Sequence, residues 1–241
     1  MEISKGIEAI GLSLWLPKAK LLAITDLQLG SEEALNRQGI FVPRVNYKGI
    51  TKELEKIFSE LEGKSIETIL INGDIKHEFG AISRQEWHEV SGAIGLLKGK
   101  CKKAVLVRGN HDTALKPIAE AMDVLMVGYF AVPEEKALFI HGDKEPDRKI
   151  LSGVKKIIIG HEHPAITLND GVKHETYKCF LKGKYKGKEL IVMPSMNPSA
   201  MGTDVSRGEI LSPLIKDAGS FEVFAVESKE IFSMGKLKNL E

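Results

Sequence analysis

The chain has 241 residues, 43% of them hydrophobic and 28% charged, a length and balance that allow a full core and exclude disorder as the main state. Lys and Arg number 34 against 33 Asp and Glu, for a formal net charge of +1, so no whole-molecule field selects or rejects a nucleic-acid partner. Cys101 and Cys179 stand isolated, which argues against a disulfide framework, and with no signal-like start and no apolar run near ~20 residues a cytoplasmic, non-membrane protein is expected.

In chain order, short apolar runs each end in a polar cluster. Leu21 to Ile24 runs into Asp26, and Ile69 to Ile71 into Asn72-Gly73-Asp74. Ala104 to Val107 leads to Gly109-Asn110-His111-Asp112, Leu138 to Ile140 to His141-Gly142-Asp143, and Ile157 to Ile159 to Gly160-His161-Glu162-His163. Runs this short, apolar on both alternations, predict strands buried on both faces. Between them, Leu54, Ile57, Phe58 and Leu61 form one helical stripe and Trp87, Val90, Ile94 and Leu97 a second, weakened by Gly92 and Gly95. Residues 114 to 126 predict a third helix with Pro117 in its first turn. Lys178 to Val192 reads as two strands about Lys186-Gly187-Lys188, and Phe221 to Val226 as a late strand. No linker or repeat divides the chain, so residues 1–241 are expected to form one α/β domain on two packed sheets.

The polar clusters lie just past strand ends, where open α/β sheets place their ligands. Asp26, Gln28, Asp74, Asn110, His111, His141, His161 and His163 together offer carboxylate, amide and imidazole donors without a thiolate. That set suits Mn²⁺, Fe²⁺, Zn²⁺, Co²⁺ or Mg²⁺ over soft metals. Any one of these residues is more often a cap, a turn or a solvated side chain. Five such clusters behind five predicted strands need a common cause.

In their order, Asp26-Leu27-Gln28, Gly73-Asp74, Gly109-Asn110-His111-Asp112, His141 and Gly160-His161-Glu162-His163, these clusters resemble the motif set of the calcineurin-like metallophosphoesterases. Gly73-Asp74-Ile75-Lys76-His77, Asp26-Leu27-Gln28-Leu29-Gly30 and Pro194-Ser195-Met196-Asn197-Pro198 look most like the SbcD-related archaeal phosphoesterases. The resemblance implies a four-layer α/β/β/α sandwich with two mixed sheets, and a dinuclear centre hydrolysing a phosphate ester. Two divalent ions are implied, Mn foremost, with Fe, Zn, Co, Ni or Mg as alternatives. Asp26, Gln28 and His163 would hold the first, Asp74 would bridge, and Asn110, His141 and His161 would complete the second. His111 would serve as general acid, with His77 as its partner or else a surface histidine. Asn110 would also reach substrate, as would Arg108 unless it is a plain surface residue.

Gln28 departs from the family, which usually has His there. An amide oxygen is the poorer donor, so the first ion is expected to bind weakly, unless water fills the position. Lys173, Lys178, Lys182, Lys184, Lys186 and Lys188, interleaved with Tyr177, Phe180 and Tyr185, fit either a nucleic-acid track or a hairpin whose lysines guard its edge. Three functions stay open: a phosphodiesterase or nuclease, a phosphomonoesterase acting on a metabolite or phosphoprotein, and a scaffold that has lost turnover.

Overall fold

The computed structural model describes residues 1–169, 174–207 and 209–240, so Lys173 of the lysine series lies outside the described residues. The chain opens with β1 (Glu2–Ser4), β2 (Ile7–Ile10), β3 (Ser13–Leu16) and β4 (Leu21–Ile24), joined as antiparallel neighbours. Helices α1 (Ser31–Arg37) and α2 (Asn46–Glu60) lead to β5 (Thr68–Asn72), α3 (Arg84–Lys98) to β6 (Lys103–Val107), and α4 (Lys116–Ala121) to β7 (Leu125–Val127). Strands β4 to β7 pair in parallel, giving a seven-stranded mixed sheet in sequence order.

A second mixed sheet follows. It contains β8 (Phe130–Val132), β9 (Ala137–Phe139), β10 (Lys156–Ile159), β11 (Pro164–Asn169), β12 (His174–Tyr185), β13 (Lys188–Val192), β14 (Thr203–Asp204), β15 (Glu222–Glu227) and β16 (Glu230–Lys236). Its order is β14-β11-β12-β13-β10-β9-β8, with β15 and β16 added through β12. Among the described residues of this sheet, only the β9, β10, β13 run and the β11–β14 pair are parallel.

Strand alternation sorts the second sheet between two cores. Ile158, Phe180, Ile191, Phe224 and Val226 face the first sheet and join its core. Their neighbours Ile157, Ile159, Cys179, Leu181, Leu190, Val192, Val223 and Ala225 point to the other face, as the two-residue period requires. There Leu151, Val205, Leu214, Ile215 and Leu237, drawn largely from short 3-10 turns, cover them. The five runs expected to be strands are strands, and β4 is buried throughout.

Some local expectations change. Residues 114–126 divide into the end of a 3-10 turn (His111–Ala114), the short α4 with Pro117 in its first turn, and β7. Leu125 and Met126 therefore extend the sheet instead of the helix. On α3, Val90, Ile94 and Leu97 are buried but Trp87 is 43% exposed, so the stripe starts a turn later than its spacing suggests. Gly92 admits α2: a Cβ there would collide with the Tyr47 hydroxyl. The N-terminal hairpins carry little sequence signal, because strands of three or four residues leave too little periodicity.

Candidate metal centre

Loops beyond β4, β5, β6, β9 and β10 bring the candidate residues together. The first two are zipped by backbone bonds that continue the parallel pairing past the strand ends. Asp26 N–H donates to Gly73 O (3.1 Å), Gln28 N–H to Asp74 O (2.9 Å) and His77 N–H to Leu29 O (2.9 Å). Asp26, Gln28, Asp74, His161 and His163 all hold left-handed φ, from 45° to 64°. Non-glycine residues rarely adopt this conformation, and it concentrates where a site dictates side-chain direction. Gly109 and Gly160 permit close approach, since a Cβ at either would strike Asp74 or Thr25 and Asp26.

The donor atoms converge. Oδ2 of Asp74 lies 3.2 Å from His141 Nε2, and Asn110 Oδ1 lies 2.9 Å from the same nitrogen. One ligand atom each from Asp74, His141 and His161 falls within 4.8 Å of the others. The His141 Nδ1 faces the carbonyl of Asn72 at 3.2 Å. A carbonyl only accepts, so Nδ1 carries a proton there, and this bond orients the ring with Nε2 toward the site. Burial opposes charge on His141, but Asp74 and Asp26 outweigh it and push the imidazole up to about 9. His161 is held below its ordinary value by burial and by His141.

On the other side, Asp26 Oδ1 and His163 Nε2 face each other at 3.3 Å. Both atoms are buried, and neither meets hydrogen-bond geometry with a partner among the described residues. Buried polar groups are normally satisfied, so an imidazole nitrogen and a carboxylate oxygen left bare together fit a divalent cation between them. Burial raises the Asp26 carboxyl, yet the His163 and His141 imidazoles bring it below its usual value. The second Asp26 oxygen is used, accepting Thr25 Oγ1 (2.8 Å) and the His161 N–H (3.0 Å).

His111 is fixed separately. Its N–H donates to Asp74 Oδ1 (3.0 Å), its Nδ1 bonds the His77 carbonyl, and its Nε2 stands 3.8 Å from Asp74 Oδ2. His77 thus supports His111 through its main chain, and the residue also lines a neighbouring cavity together with Gln28. Burial and then His111 hold His77 below its ordinary value. Phe79 stacks on His111 with ring centroids 3.8 Å apart. Arg108 is exposed and lines a cavity of about 160 Å³ beside His141. His88 and His174, outside the motifs, are exposed.

Several supporting residues carried no assignment in the sequence. Asp112 accepts N–H groups of Asp74, Ile75 and Gly109 at 2.8, 3.1 and 2.9 Å. Burial, then Asp74, pushes its carboxyl up to about 6. Buried Glu162 accepts Leu211 and Ser212 N–H (2.9 and 2.7 Å), fastening that segment behind the two histidines. Glu86 closes a capping box with Ser83 on α3 and also accepts the Glu78 N–H, which anchors the loop bearing His77 and Phe79. Ser83-Arg84-Gln85-Glu86 is a readable capping signature; the other two depend on distant partners.

The lysine series is largely engaged within the molecule. Lys178 donates to the carbonyls of Ser195 (2.8 Å) and Asn197, Lys182 to Ile3 O and Glu222, Lys186 to Glu145, and Lys188 to Val154 O. Phe180 and Tyr185 are buried, which removes both as stacking platforms for a nucleic-acid track.

Together, the two mixed sheets and the carboxylate, amide and imidazole donors at their edge define a metal-dependent hydrolase of phosphate esters. Residues 19–209 match the family model of the calcineurin-like phosphoesterases, and the chain belongs to that family. No curated protein matches it in sequence. Among solved structures, the Pseudomonas putida nuclease MPE is similar at 16% identity, covering 95% of this chain and 94% of that one with a TM-score of 0.64. The Escherichia coli phosphoesterase YfcE (14%, 88% and 96%, TM-score 0.42) and zinc-complexed Vps29 from Entamoeba histolytica (17%, 88% and 88%, TM-score 0.34) are further similar structures. No helix among the described residues is long and apolar enough to cross a membrane.

Proposed function

We propose that the chain is a phosphodiesterase of the SbcD-related type, cleaving a nucleotide or nucleic-acid diester with two divalent cations, Mn²⁺ foremost. The observation that carries this reading is the bare, buried Asp26 Oδ1 and His163 Nε2 pair beside the Asp74, Asn110, His141 and His161 cluster. Asp26 and His163, with the weaker Gln28, would hold one ion, Asp74 would bridge, and Asn110, His141 and His161 would hold the other. Cations held there would supply positive charge to the phosphoryl oxygens and would acidify an attacking water.

The chain's own residues do the remainder. His111, with Nδ1 committed to the His77 carbonyl, presents Nε2 to the leaving oxygen and donates its proton there as the bond to phosphorus breaks. Phe79 covers one face of that ring, keeping water from it. Asp112 fixes Asn110 and His111 relative to Asp74, so the proton donor and the ligands keep one geometry. Arg108 is a further candidate contact for the phosphate. The unpaired cysteines support a cytoplasmic setting.

The diester reading is supported by the end-to-end fold likeness to a nuclease. The test compares bis(p-nitrophenyl) phosphate with p-nitrophenyl phosphate in the presence of Mn²⁺. Faster hydrolysis of the diester is expected. Preference for the monoester would transfer the site to the phosphomonoesterase reading, and hydrolysis of neither with any of the divalent ions named would leave a scaffold.

A further inference from the structure

The run Pro194-Ser195-Met196-Asn197-Pro198 supplies no proposed metal donor, yet Ser195 and Asn197 are buried. It leaves β13 and meets the loop after β4. Met193 N–H donates to Ile159 O (2.8 Å) and Met196 N–H to Thr25 O (3.0 Å). Ser195 Oγ donates to the carbonyl of Asp26 (2.7 Å) and accepts the Asn197 N–H (3.1 Å). A few residues on, Thr203 N–H donates to the carbonyl of His163 (2.8 Å). Gly202 passes so close that a Cβ there would collide with the same oxygen.

Segment 195–203 thus grips the main chain of Asp26 and of His163, the two residues whose bare atoms face each other. Among the described residues, its hydrogen bonds reach none of Asp74, Asn110, His141 and His161. The segment is itself pinned at two points. Lys178 Nζ donates to Ser195 O (2.8 Å) and to Asn197 O, and Ser199 bonds Asn46 at the start of α2.

Both gripped residues hold left-handed backbone, with φ of 52° at Asp26 and 48° at His163. A non-glycine residue keeps that conformation only where its neighbours over-determine it. The Asp26 N–H is tied to Gly73 O, and its carbonyl is tied by Ser195. With the second tie cut, the backbone can relax and swing Oδ1 away from His163. Gln28, an amide, is the poorer donor beside them, so the first ion depends on how well the other two are placed.

Resting on the two-ion reading of this site, we propose that Ser195 is a positioning residue for the first ion. Its bond to the Asp26 carbonyl sets the affinity of that ion and leaves the second ion's alone.

Isothermal titration of Mn²⁺ into the EDTA-treated, dialysed full chain tests this. His163→Ala identifies the binding step that belongs to the first ion. In Ser195→Ala that step should weaken about 10- to 100-fold, the usual cost of losing a group that supports a ligand, with the other step unchanged. Ser212→Ala removes a similarly buried hydroxyl from the Gly142 carbonyl and should leave the first step as it is, which separates positioning from a general loosening of the fold. Should Ser195→Ala fail to fold, Lys178→Met, which withdraws the segment's anchor, carries the same comparison. An unchanged first step, equal weakening of both steps, an equal loss in Ser212→Ala, or no step that depends on His163 overturns the role of Ser195. Failure of the wild type to hydrolyse bis(p-nitrophenyl) phosphate strikes the phosphodiesterase reading alone, since the readout here is ion binding.

Discussion

Asp112 accepts the backbone N–H of Asp74 at 2.8 Å, so a buried carboxylate ties the turn that carries Asn110 and His111 to the turn that carries the proposed bridging ligand. The same side chain accepts from Ile75 and Gly109.

Replacing Asp112 by Ala should therefore cost about 3 kcal/mol or more in stability, because buried N–H groups left bare cost roughly 1–3 kcal/mol apiece. Urea unfolding measures this. Asp112→Asn, which retains one acceptor oxygen, should lie between Ala and the wild type. A loss under about 0.5 kcal/mol for the Ala variant would show that the staple is redundant.

Metal should stabilise the fold, since the donors are gathered only in the native chain. Mn²⁺ at a hundred times its dissociation constant contributes about 2.7 kcal/mol, a rise of roughly 5–10 °C in Tm for a chain of this size. Differential scanning calorimetry with EDTA and with added Mn²⁺ decides it. Isothermal titration should further resolve one tight and one weak site, with Gln28→His tightening the weak one. Two equally tight sites in the wild type would refute the role given to Gln28.

His111→Ala should lower kcat by about 10²- to 10⁴-fold, the usual range for a lost proton donor, with both ions still bound. Full activity in that variant would remove His111 from the chemistry. Loss of metal along with activity would instead make it a structural support.

Lys178 predicts a pH effect from a residue that is not itself a metal donor. Burial holds its ammonium down to about 8, against the pull of Glu53 and Asp26. Between about pH 8 and its ordinary value of 10.5 the unfolded chain binds the proton and the folded chain does not, so this residue adds stability as pH rises through that window and loses it as pH falls to 8. The neutral amine still donates to the Ser195 and Asn197 carbonyls. Subtracting the unfolding free energy of Lys178→Met from that of the wild type at each pH isolates the effect. A flat or falling difference from pH 8 to 10 would contradict it.

The sequence by itself determined the ordered motifs, the buried parallel strands and the donor chemistry, because each rests on neighbours a few residues apart. Asp26, Asp74, Asn110, His141, His161 and His163 each follow an apolar run that the sequence makes readable, and the family match over residues 19–209 agrees with the family that their order implies. Only the tertiary structure decided what those residues meet. Lys178 and Lys182 read as free cations until β12 turned them onto distant carbonyls, Trp87 read as core until the helix placed it outward, and Phe79 gave no signal until it lay on His111. Periodicity and spacing are local properties of a chain, whereas a side chain's partner is set by which loops the two sheets bring to one edge.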